Sequence, residues 1–599
     1  MSDRPPAPGL PGTARRLPLA AMIAEDCTDQ RPPLAPAPSP PREAGGLQAP
    51  ATASQPQKAL SLASLAALSA CGGGGGGDSG AAPAPAPTPA PPPAPPTEAE
   101  AARFLAQASF AASTAEMAKV QAQGYSAWLN EQFAATGSQG HFDWMVAKGY
   151  AVEANKNNFN GVDNTLWRKL LNSPDLLRQK VVLALSEIFV VSMAGLPVAW
   201  AGFAVAAYVD MLEQRAFGTF RELIEGVSLS NAMGVYLNMR GNRKEDAKTG
   251  RVPDENYARE LMQLFTIGLV ELNLDGTPVL DAAGKPKDTY TQTQISELAR
   301  VLTGWEFDGA SATDPAFMKK PMVHLAARFS VGPKKVLSAD VPASATGPEA
   351  LKIVLDTLAN HANVGPFFSR QLIQRLVASN PSPAYVQRVA AVFNNNGQGQ
   401  RGDLKAVIRA VLLDSEARMP GSSPSSGRLR EPIQRFIQWG RSFGVSSPTE
   451  LWNIGDLSNP ASRLGQSPLR SPSVFNFFRP GYVPPNSQLG TAQITAPEFQ
   501  LCNESTVAGY LNYMQNVIAN GTGEVKPSYT AELALAVDAP ALVQRLALLL
   551  AGGGLSPTTV NTIATAVATI NASSDAGKLN RVQAAILLVM ASPEYLIQK

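Results

Sequence analysis

From residue 97 to the C terminus, apolar residues return every three or four positions, the period of helices with one buried face. "TEAEAARFLAQASF" opens on a threonine suited to capping and carries acids in its first turn. "STAEMAKVQAQGYSAWLNEQFA" continues the pattern and breaks near Gly124 before resuming. In "SPDLLRQKVVLALSEIFVVSM" the spacing predicts Ser173 as N-cap, Pro174 in the first turn and Asp175 at the positive end of the dipole. "AGFAVAAYVDMLEQRAFGTFRELIEGVSL" predicts two helices parted near Gly218. Further helical segments fall at 254–268, 292–303, 348–360, 366–379, 382–395, 403–413 and 431–443, with several more after 498. No repeat of fixed period runs through them.

One stretch breaks the helical period. "VELNLDGTPVLDAAGKPKDTYTQ", residues 270–292, carries a hairpin signal at Asp275-Gly276 and a second turn signal from Asp281 to Gly284. The expected fold class is therefore all-α, a multi-helix globular domain over residues 98–599 with a small β-ribbon inserted near 270–292. A division of that domain into two lobes, 98–310 and 345–599, stays open.

The first 97 residues follow another pattern. Residues 1–58 are rich in Pro and Ala and have no helical or strand period, so they read as disordered or as preceding the true start. "ALSLASLAALSA", residues 59–70, follows Lys58 and ends at Cys71. Twelve residues make a helix of about 18 Å, too short for ~30 Å of hydrocarbon but suited to a signal segment. Leu68-Ser69-Ala70-Cys71 resembles the bacterial lipobox, which implies cleavage before Cys71 and lipid on its thiol. Residues 72–97, a glycine run followed by Ala-Pro repeats, suit a tether. The expectation is an exported, membrane-anchored lipoprotein of the periplasm or outer-membrane surface. A low-complexity linker after a short buried helix is the alternative.

Composition narrows the partners. With 599 residues and 45% hydrophobic residues the chain can bury a large core, and a net charge of +2 gives no case for nucleic acid. Cys27 and Cys71 lie in the leader, so Cys502 cannot close a disulfide within the folded part. His141, His324 and His361 are far apart and belong to no zinc or haem motif, so no metal site or cofactor is expected from them.

The densest polar constellation is "PDENYARE". Pro253, Asp254 and Glu255 suit a helix start, and the spacing pairs Glu255 with Arg259 and Asn256 with Glu260. Asn256, Arg259 and Glu260 are expected to turn inward as one hydrogen-bonded cluster, with Glu255 nearer solvent. Glu260 is then a candidate general base or cation ligand, with Asp254 or Glu431 as second acid. Its charge partner is expected from Arg243, Arg375 or Arg430. The plainer alternative is a capped helix with a surface ion pair. "MRGNRKED" clusters Arg240, Arg243 and Lys244 as a candidate anion site. "LREPIQRF" supplies Arg430 and Glu431, and "NFFRPGYVPP" sets Asn476 and Arg479 among aromatics, suited to carbohydrate or peptide contact or to a loop pinned on the core. Trp305 reads as a core residue.

"RVPDENYARELMQLFTIGLVELNLDGTP" and "ISELARVLTGW" are followed or preceded, in order, by "ALSEIFVVS", "AFGTFRELIEGVSLSNAMGVYLNMRGNRK", "GPFFSRQLIQRLVASNPSPAYVQRVAAVFNNNG", "RGDLKAVIRAVLLDSEAR", "LREPIQRF", "SPSVFNFFRPGYVPP" and "APEFQ". These strings resemble the bacterial family called domain of unknown function 1800, over roughly residues 98–599. The resemblance implies a mainly helical exported protein and no established reaction. It also implies a possible partner, a second exported family with a phosphatase-like fold called domain of unknown function 1501. Related proteins carry a histidine before a lysine and "LG" where this chain reads "ARFSVGPKKVLSAD", with Phe329 and Ser338 at those places and His324 five residues earlier. A histidine-based centre, if the family has one, is then missing here. Two functions follow as expectations: binding or assembly at the cell envelope, or an envelope hydrolase using carboxylates, with a calcium or magnesium ion as a possible addition.

Overall fold

Capping geometry sets the helix starts. Thr97 accepts a hydrogen bond from the Glu100 amide (3.3 Å), and the Glu100 carboxylate accepts one from the Thr97 amide (2.8 Å). Thr219 with Glu222 and Thr346 with Glu349 repeat the device. The computed structural model describes residues 94–419, 421 and 426–599. Residues 1–58, the signal segment with Cys71, and nearly all of the 72–97 tether lie outside them.

The described residues are mainly helical, as the periodicity predicts. Thr114–Ala134 is one helix kinked at Gly124, whose φ is 78°. Ala201–Arg215 and Phe220–Leu229 flank the predicted break at Gly218. One start differs. The helix after Ser173 is Leu176–Ile188 with Asp175 at its N-cap, because Ser173 closes the preceding Val162–Asn172 helix. Its hydroxyl donates to Asp175 Oδ1 (2.5 Å).

The expected ribbon forms as two small hairpins. Val270 bridges Asp288, Leu272 bridges Pro278 and Leu280 bridges Pro286, with no continuous strand among them. Gly276 and Gly284 take the positive φ (78° and 75°) that their turns require. Continuous pairing occurs elsewhere, in three antiparallel two-stranded sheets. Trp305–Glu306 pairs with Val323–His324, and Lys334–Val336 with Ala339–Val341. Arg428–Leu429 pairs with Ile597–Gln598 and draws the C terminus onto the body.

At the centre, aromatic rings link five elements. Phe189 lies 5.4 Å from Phe265 and 6.2 Å from Phe368, and Phe220 lies 4.9 Å from Phe368 and 5.4 Å from Phe393. Among the described residues no helix is long and apolar enough to cross a membrane.

Candidate functional site

The Val364–Leu376 helix has two faces. Phe368, Leu372, Ile373 and Leu376 are buried in the core. Phe367, Arg370, Gln371, Gln374 and Arg375, at helical spacing on another face, line a cleft of about 400 Å³. The facing wall comes from residues 263–276 and from residues 474–481. Local structure explains that wall. Asn256–Glu260 is α-helical, but Leu261–Thr266 widens into a π-turn rather than continuing the predicted helix to 268. Gly268 ends it at φ 71°, and a Cβ there would meet the Phe367 ring at 2.8 Å, so only glycine admits this close approach. Asn363 fastens the ribbon to the helix start. It accepts from the Leu272 amide (2.9 Å) and donates to the Ile267 (2.9 Å) and Val270 (2.7 Å) carbonyls.

Beneath the cleft lies a buried ionic network. Glu187 reaches the cleft, and its Oε2 stands 3.3 Å from Arg375 Nε. Arg428 pairs with Glu431 and, at 3.3 Å, with Glu498. Gln434 and Gln466 each donate to Glu431 at 2.6 Å, Ser379 donates to Glu498 at 2.7 Å, and Lys180 donates to Gln434 at 2.6 Å. Glu187 and Glu431 interact and are pushed in opposite directions. Burial and the Glu431 charge hold the Glu187 carboxyl well above the usual range, and Arg375 does not overcome them. Burial pushes Glu431 the same way, but Arg428 and Glu187 outweigh it and hold Glu431 below the usual range. Burial, aided by the Arg428 charge, brings the Lys180 ammonium down to about 7.

A family model described as "Protein of unknown function (DUF1800)" matches residues 103–597. The chain belongs to this family. No curated protein and no solved structure matches it.

In this DUF1800 protein the residues picked from sequence divide between the site and other places. Arg479 comes to it, lining the cleft and stacked on Phe475 (5.0 Å). Asn476, at φ 62°, shares a small cavity with Glu187 and leaves its Nδ2 without a hydrogen-bond partner. Glu431 belongs to the network below. Arg430 does not, because it donates to the Tyr595 carbonyl and covers the Tyr595 ring at 4.9 Å.

The PDENYARE cluster does not form as expected. Glu255 and Arg259 pair at 3.5 Å, and Glu255 accepts from Ser296 (2.5 Å) and Gln292 (2.7 Å). Asp254 is exposed and accepts from the Asn256 amide (2.8 Å), so it starts the helix. Asn256 is half-buried and its side chain joins no cluster with Glu260; Arg243 is exposed. Glu260 is 4% exposed, and its Oε2 has no hydrogen-bond partner. Burial pushes its carboxyl up to about 7, against a weaker pull from Arg259. Arg375, one of its expected partners, meets Glu187 instead.

Two histidine clusters were not visible in sequence spacing. His141, Asp210 and Glu213 converge within 4.8 Å. Their polar atoms are already engaged: Asp210 accepts the amides of His141 (2.7 Å) and Phe142 (2.9 Å), and Glu213 binds Lys169, Gln179 (3.0 Å) and His141 (3.1 Å). The arrangement braces four helices, His141–Ala147, Val162–Asn172, Leu176–Ile188 and Ala201–Arg215. His324 packs edge-on against Trp305 (5.2 Å) and Phe329 (5.1 Å), so Phe329 meets the histidine in space.

Proposed function

We propose that the protein binds a small ligand at the bacterial cell envelope, where lipid on Cys71 holds it, and that the cleft beside the Val364–Leu376 helix is its recognition site. The observation that carries this reading is the cleft, whose volume of about 400 Å³ falls within the range of small-molecule sites. Its walls are mostly apolar, with a few buried polar side chains among them. Asp254, Glu260 and Glu431, the carboxylates of the hydrolase reading, each have a different setting, which favours binding over catalysis. An assembly role with a second exported protein, of the domain of unknown function 1501 type, belongs to the same reading.

The test isolates the full chain in polymer-bounded native membrane discs, releases small molecules by denaturation and identifies them by mass spectrometry. Leu264→Trp, which fills the cleft from a half-buried position, is the comparison. A species retained by the wild type and depleted at least fivefold in the variant is expected. Identical profiles would remove the cleft as the site. The same preparation checks the anchor, since Cys71→Ser should leave the chain out of the discs.

Glu187 favours a second reading. A buried carboxyl held well above its usual range at the edge of a cleft is suited to general-acid chemistry, which shifts the hydrolase proposal from Glu260 to Glu187. Arg370 and Arg375 oppose a divalent cation there. This reading fails if Glu187→Gln leaves hydrolysis of every substrate found for the protein unchanged.

A further inference from the structure

The cleft holds more hydrogen-bond donors than the fold satisfies. Arg375 is 3% exposed, yet its Nη1 has no hydrogen-bond partner, and its Nε meets Glu187 only as an ion contact at 3.3 Å. Gln371 is 8% exposed, and its Nε2 is also without a partner. Arg370, one turn earlier than Gln374 on the same stripe, is half-buried and has no ion pair or hydrogen bond among the described residues; burial alone depresses its guanidinium. Buried donors left unpaired cost about 1–3 kcal/mol each, so two such side chains beside the half-buried Arg370 mark a place where acceptors arrive from outside.

The opposite charge is scarce. Glu187 is the one carboxylate side chain on the cleft lining, and burial with the Glu431 charge holds its carboxyl well above the usual range. Gln263, Gln374 and Arg479 add further polar side chains, and Leu264, Leu269, Val270, Leu272, Phe367 and Phe475 make an apolar stretch of the wall. Two guanidiniums and an amide donor on one helix face can each meet an oxygen of a carboxylate or phosphate, and the apolar stretch matches a hydrocarbon body.

Resting on the reading of this cleft as a binding site, we infer that its ligand is an amphiphilic anion, with a carboxylate or phosphate head against Arg370, Gln371 and Arg375 and an apolar body along Leu264, Phe367 and Phe475. The same head chemistry occurs in free acyl anions and in anionic lipids.

The experiment is isothermal titration calorimetry on the full chain carrying Cys71→Ser, which needs no detergent, with decanoate, decyl phosphate, decanol and decyltrimethylammonium as probes. Decanoate and decyl phosphate should bind at least tenfold more tightly than decanol, and the cation more weakly still. Arg370→Gln, which breaks no ion pair or hydrogen bond within the fold, should weaken decanoate at least tenfold and leave decanol unchanged. Decanol binding as tightly as decanoate, or an unchanged ratio in Arg370→Gln, overturns the inference. So does the absence of binding by every probe. Any of these results together with a cleft-dependent species in the retention experiment removes only the anionic class. The same results with no such species remove the binding reading itself. Displacement of decanoate by phosphatidic acid in phosphatidylcholine vesicles would identify a membrane lipid as the source; displacement by free fatty acid alone would identify a soluble one.

Discussion

Glu260 turns a sequence expectation around. Its burial was legible, because Tyr257, Leu261, Leu264 and Phe265 mark an inward face beside it. Its isolation was not, because the arginines that might have paired with it are committed by remote elements, Arg375 to Glu187 and Arg430 to the C-terminal segment. The consequence is a pH dependence with a definite sign. The folded protein holds the Glu260 proton up to about 7, against an ordinary value of 4.5, so the folded state binds more protons across that window. Stability therefore falls as pH rises from 4.5 through 7, by an amount on the order of 3 kcal/mol, and the loss is complete above it. Glu260→Gln removes the group that titrates. The variant should melt at the wild-type temperature near pH 4.5 and clearly above it at pH 8. A difference that does not change with pH, measured by calorimetry, would show that Glu260 finds a charge partner in the folded chain.

The helices were legible as elements and their joints were not. Periodicity placed the 366–379 segment within two or three residues of Val364–Leu376, and it found the break at Gly218. It misplaced the cap at Ser173, whose hydroxyl answers to Asp175 while its backbone closes the preceding helix. It also missed the π-turn, since one extra residue per turn leaves the apolar spacing almost unchanged. The ribbon shows how joints carry the site. Asn363, 2% exposed, holds one amide and two carbonyls of residues 267–272 with its side chain alone. Asn363→Ala leaves those groups without partners and should cost about 1–3 kcal/mol. Amide exchange should accelerate at 269–289 and stay slow in the Val364–Leu376 helix. Uniform acceleration across both would mean that the ribbon and helix open as one unit, against the latch described here.

On the scale of the whole molecule, the cleft gathers Glu187, residues 263–276, the 367–375 stripe and residues 474–481, segments separated by about a hundred positions each. Linear spacing cannot show such a meeting. Asn476 and Arg479 were picked out because aromatics beside Arg and Asn stand out in a non-helical stretch, whereas Arg370, Gln371 and Gln374 read as one more solvated helix face. The buried network below gives the cleft a fixed floor, because removing one member of a buried pair leaves the other charge unpaired at a cost of about 3–5 kcal/mol. The most direct measurement of what the cleft does places p-benzoylphenylalanine at Phe475, on the cleft wall, and at Leu588, an exposed position 40% accessible to solvent. Cells are irradiated and the intact full chain is weighed by mass spectrometry. A ligand-binding cleft gives a small-molecule adduct at position 475 and none at 588. No adduct at 475, or the same adduct at both positions, would contradict the assignment of this cleft as the binding site.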